Sequence, residues 1–96
     1  MTADVQLAGL RFSPASRDDA AGGLLGFCSF VLPAYGLRLD GIGVRRTLQG
    51  RLTLSYPRRD DASGERHWLV RPIDSASREI MERAVLSQLG LAGGAP

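Results

Sequence analysis

Hydrophobic periodicity changes once along this chain, at Arg71-Pro72, and that change limits the folds open to it. Ahead of it, apolar residues alternate with polar ones or run in short blocks bounded by Gly and Pro, as in β-strands. Beyond it, Ile80, Met81, Ala84, Val85 and Leu89 recur at helical spacing as one stripe. Strands first and a helix last predict an α+β domain, an antiparallel β-meander of four to five strands with a C-terminal amphipathic helix laid on it.

Strands are expected at residues 5–12, with Gly9 as a bulge, and at 24–32, 37–46, 51–56 and 67–71. Residues 24–32 are apolar at both alternating positions, which suits a central strand covered on both faces. In 37–46, Leu37 and Leu39 fall on one parity and Ile42 and Val44 on the other, so only a bulge near Gly41 turns all four inward. Leu52, Leu54 and Tyr56 alternate cleanly with Arg51, Thr53 and Ser55. Residues 13–23 read as a turn or loop, and 58–65, with its adjacent charges, Ser63 and Gly64, as an exposed hairpin loop. Trp68 and Val70 share a strand face and are expected in the core with Leu52, Leu54, Ile80 and Val85. Pro72 ends the last strand, Asp74 or Ser75 caps the helix, and Gly90 terminates it. Glu79 and Arg83 stand at i, i+4 in the order that favours an ion pair. Residues 91–96 make a short tail to a single domain spanning 1–96.

A chain of 96 residues has too little interior to bury a high fraction of its surface. An open strand edge invites pairing with another chain, so a homodimer is expected. No apolar run approaches the ~18 residues needed to cross a bilayer. Met1-Thr2-Ala3-Asp4 has no basic residue ahead of an apolar segment, so a cytoplasmic location without membrane contact is expected.

Cys28 has no second cysteine to pair with and reads as a small apolar filler. His67 has no other His or Cys at metal-ligand spacing, and no nucleophile has a base paired with it. Gly22-Gly23-Leu24-Leu25-Gly26 lacks the Lys-Ser/Thr ending of a phosphate loop. The expectation is therefore a protein that is not an enzyme and carries no metal or other cofactor.

All 12 basic residues are arginines. Between Arg38 and Arg71 stand eight of them and four acidic groups, against four and six in the rest of the chain. A guanidinium fork suits phosphate and base edges better than an ammonium does. Candidate nucleic-acid contacts are Arg45, Arg46, Arg51, Arg58, Arg59, Arg66 and Arg71, with Tyr35 and Tyr56 able to stack on bases. The competing reading is a solvated surface neutralised by Asp60, Asp61 and Glu65.

The segment from Tyr56-Pro57 through Arg59, the Gly64 turn and Arg71-Pro72-Ile73 to Arg78, Ile80 and Ala84-Val85-Leu86 resembles the signature of the SpoVG family of bacterial septation and sporulation regulators. The likeness extends to Ile42, Val44, Gly50 and Leu52, and loosely to Val5 and Leu7, so it covers nearly the whole chain. Arg71 stands where the family usually has histidine before Pro-Ile, and Arg58 where it has a small polar residue. What the resemblance implies is a SpoVG-like, dimeric, non-enzymatic regulator that binds DNA and, in some relatives, RNA. The alternative is an interaction or assembly module that binds another protein through a sheet edge or the helix.

Overall fold

The computed structural model describes residues 5–90, so the N-terminal tetrapeptide and the expected tail at 91–96 lie outside the described residues. Strands β1 (Ala8–Pro14), β2 (Leu24–Leu32), β3 (Leu37–Arg46) and β4 (Leu52–Ser55) form one antiparallel sheet in the order β1-β2-β3-β4. Strands β5 (Arg58–Asp60) and β6 (Arg66–Trp68) pair only with each other, in a separate antiparallel ribbon. A short helix, α1 (Arg17–Ala21), lies between β1 and β2, and the long helix α2 (Ser75–Gln88) follows the ribbon. The chain is an α+β fold with a four-stranded antiparallel sheet and a C-terminal helix.

The sheet buries one face. Cys28 and Phe30 of β2, Ile42 and Val44 of β3, and Leu52 and Leu54 of β4 pack with Val85 and Leu86 of α2. The bulge required in β3 is present: Cys28 pairs with Ile42 but Phe30 with Leu39, so Asp40 and Gly41 together oppose Ser29 alone. Gly41 supplies the positive φ of 71° that this extra residue needs. The bulge carries Leu39 to the margin of the core, whereas Leu37 stays exposed at the strand's start. A corresponding irregularity in β1 falls between Ala8 and Arg11, at Gly9.

Several expectations need correction. The run 24–32 is a central strand, but it is covered on one face only: Phe27 is 47% exposed on the other, because a single long helix covers a single side. Residues 13–23 contain α1, whose Ser16 accepts a hydrogen bond from the Asp19 amide at 3.1 Å and so nucleates a helical turn. Residues 5–7 are not in β1, and Gln88 of α2 donates to the Leu7 carbonyl instead. The first three residues of the expected 58–65 loop are strand β5. The strand expected at 67–71 is β6, Arg66–Trp68, outside the main sheet, since Pro57 interrupts the chain between β4 and β5 and its carbonyl accepts from Leu69.

The core differs accordingly. Trp68 lies on the ribbon and is 41% exposed, while Val70 packs at the core margin. On α2 the buried positions are Glu82, Val85 and Leu86, flanked by Met81 and Leu89. The buried stripe is thus rotated from the expected one, and Ile80 instead lines a shallow groove with Val5 and Ala84. Asp74, not Ser75, is the N-cap, accepting from the Ser77 amide at 2.8 Å. Glu79 and Arg83 form no ion pair; among the described residues Arg66 stands 3.7 Å from Asp60, and His67 Nε2 lies 2.8 Å from Asp61 Oδ2.

Candidate nucleic-acid interface

β4 is the last strand of the sheet, and the ribbon, the turn at Pro72 and the first turn of α2 gather beside it. They enclose an open cleft of about 1010 Å³. Its cationic walls are Arg45 from β3, Arg58 from β5, Arg71 before Pro72, and Arg78 from the first turn of α2. Trp68, Pro72 and Ile73 supply apolar surface. Asp74 is the one carboxylate in the lining, and its bond to the Ser77 amide lowers its pKa, so it remains ionised as the helix cap.

Register explains why these side chains meet. Arg58 lies directly opposite Trp68 in the ribbon, and cross-strand partners share a face. The guanidinium carbon of Arg58 stands 5.8 Å from the Trp68 ring centroid, and that of Arg71 stands 5.5 Å from it. Arg59 pairs with His67 and points to the other face of the ribbon, so the adjacent arginines Arg58 and Arg59 are split by the strand's two-residue period. None of the four cleft arginines forms an ion pair with a carboxylate among the described residues.

The seven arginines singled out in the sequence therefore divide. Arg45, Arg58 and Arg71 line the cleft; Arg46, Arg51, Arg59 and Arg66 do not, and Arg66 lies 3.7 Å from Asp60. Arg78 joins the cleft without having been singled out as a contact. Its signal was its position one turn after the Asp74 cap, where a helix N-terminus faces an anion. Trp68 was assigned to the core, yet Arg66 shares its strand parity, which is incompatible with a buried face.

The two tyrosines take different places. Tyr35 is exposed on the turn between β2 and β3 and is absent from the cleft lining. Tyr56 borders the cleft but packs against the core, with its hydroxyl buried and unpaired. Burial, then the nearby Glu82 carboxylate, push its pKa up to about 12 despite the opposing effect of Arg78.

At the ribbon tip, Asp61, Glu65 and His67 place their donor atoms within 4.8 Å of one another, the one grouping among the described residues that could hold a metal ion. The Asp61 carboxylate is already engaged: Oδ1 accepts from the Ser63 amide and hydroxyl and the Glu65 amide, and Oδ2 lies 2.8 Å from His67 Nε2. These bonds hold the carboxyl at about 2 and account for the cluster as a turn lock. Cys28 is buried in the core, and burial pushes its thiol up to about 11, away from reactivity at neutral pH.

Compared with protein-family models, curated proteins and solved structures, the chain matches none. No helix among the described residues is long and apolar enough to cross a membrane.

Proposed function

We propose that this chain is a nucleic-acid-binding regulator of the SpoVG septation and sporulation type, a non-enzymatic cytoplasmic homodimer that holds DNA or RNA by its phosphates in the arginine cleft. The observation that carries this reading is the set of four arginines converging on one cleft with no carboxylate partner among the described residues. Unneutralised guanidinium groups at a helix N-terminus attract a polyanion and release its counterions. The resemblance at Pro57, Arg59, Pro72, Ile73, Arg78 and Ala84-Val85-Leu86 points the same way.

A second reading, a protein-interaction module, is favoured by β1, which among the described residues pairs with β2 alone and leaves its other edge open, and by Phe27 on the uncovered sheet face. The same edge is where a second copy would add for the homodimer. Sedimentation at micromolar concentration is expected to give twice the chain mass, and a clean monomer would remove the dimer from the proposal.

Mobility shift against random-sequence DNA and RNA separates the two readings. Binding is expected at low salt, with log affinity falling linearly against log salt. Arg58→Ala with Arg71→Ala is expected to flatten that slope on duplex DNA by about 0.9 per lost contact, or about 1.8 per protomer. Arg46→Ala with Arg59→Ala, outside the cleft, should change it less. A parent protein that binds neither nucleic acid at low salt would leave the protein-interaction module in possession.

A further inference from the structure

Phosphate attraction accounts for the arginines of the cleft but not for its apolar wall. Trp68 is 41% exposed and Ile73 is 90% exposed, both line the cleft, and neither is held there by the core. A large aromatic left half in water on a three-residue strand calls for a ligand with an apolar face. A duplex hides its base faces within the stack and presents phosphates, so it would engage the arginines and leave the indole unused. An unpaired strand presents both phosphates and free base faces, and sites for it combine a positive groove with an aromatic platform.

We infer that Trp68 is the platform on which the cleft stacks a base of a single-stranded nucleic acid, with the neighbouring arginines taking its phosphates. This rests on the nucleic-acid reading above and adds the class of strand. The volume of about 1010 Å³ lies at the upper end of sites for one small ligand, which suits a polymer segment. Arg58 and Arg71, at 5.8 and 5.5 Å from the ring centroid, sit near the ~6 Å limit of a cation–π contact. Such exposed contacts are weaker than base–aromatic stacking, so an arriving base displaces a guanidinium from the ring towards the adjoining phosphate.

Trp68 is the single tryptophan of the chain, so its fluorescence reports on this site alone. The intact protein is titrated with oligothymidylate, oligouridylate, a mixed-sequence duplex of equal length and inorganic polyphosphate. Both single strands are expected to quench the emission strongly, and polyphosphate to leave it nearly unchanged. By mobility shift, Trp68→Ala should weaken single-strand binding by about 5- to 100-fold while sparing duplex affinity and its salt slope, and Trp68→Phe should restore most of the loss. A difference between the thymidylate and uridylate arms would distinguish DNA from RNA as the preferred strand. Equal weakening for single strand and duplex would overturn the inference, because Trp68 would then merely position the arginines. No weakening for single strands would overturn it as well, with the nucleic-acid reading intact. Failure of the parent to bind any of the nucleic acids at low salt would defeat that reading and the inference together.

Discussion

The Thr53 hydroxyl donates to the Glu82 carboxylate at 2.7 Å, and the same oxygen lies 3.5 Å from the Leu54 amide. Glu82 is the one buried charged residue among those described, and it joins α2 to the outer edge of the sheet. A β-edge amide left without water or a partner is costly, so the carboxylate does for β4 what a fifth strand would have done.

Glu82→Leu should therefore destabilise the fold, although it replaces a buried charge with an apolar side chain. It would strand the Thr53 hydroxyl and the Leu54 amide, at about 1–3 kcal/mol. Urea unfolding measures this, and a double-mutant cycle with Thr53→Val is expected to show coupling between the two sites. Independent, additive effects would mean the bond is incidental.

Core position on α2 is tested by contrast. Val85→Ala removes two fully buried methyl groups and should cost about 2 kcal/mol, whereas Ile80→Ala, a larger truncation at a half-buried site, should cost less. The opposite order in unfolding midpoints would show that the helix is rotated from the orientation described.

Tyr56→Phe should be neutral or stabilising, because it removes a buried hydroxyl that has no partner. It should also change the alkaline limb of stability. The pKa of Tyr56 is raised from 10.0 to about 12, so the folded state retains a proton that the unfolded chain loses. The stabilisation is complete below pH 10 and is lost as pH rises towards 12. Cys28, raised from 9.0 to about 11, acts with the same sign one unit earlier. Thermal unfolding between pH 9 and 12 is expected to show a decline whose upper part disappears in Tyr56→Phe and whose lower part disappears in Cys28→Ala.

Asp61 works in the other direction. Its carboxyl is lowered from 3.8 to about 2 by bonds from Ser63, His67 and Glu65, so order in the ribbon tip is complete above pH 4 and is lost as pH falls towards 2. Asp61→Ala should accelerate hydrogen exchange at the Ser63 and Glu65 amides at neutral pH without moving the global unfolding midpoint. Unchanged exchange would show that the turn is held by its backbone alone.

How far the sequence carried the architecture is clearest in β3. The parity conflict between Leu39 and Ile42, with glycine at the point of change, required a bulge, and the bulge is there. The edges of β2 and β3 and the Gly90 stop were equally legible, and the cap was narrowed to Asp74 or Ser75, because local periodicity, capping chemistry and backbone freedom act over a few residues. The arginine enrichment of the middle of the chain was legible too, and three of its members do line the cleft.

Which arginines share a surface was decided elsewhere. Arg58 and Arg59 are neighbours in sequence but oppose Trp68 and His67, and so part to different faces once β5 pairs with β6. Arg45 and Arg78, 33 positions apart, come together because α2 packs back across the sheet beside β4. Trp68 looked like core because it is large and apolar, but burial depends on which surface a strand is laid against. Period-two alternation determines that a strand has two faces; only the packing of distant elements determines which face meets the core and which meets water.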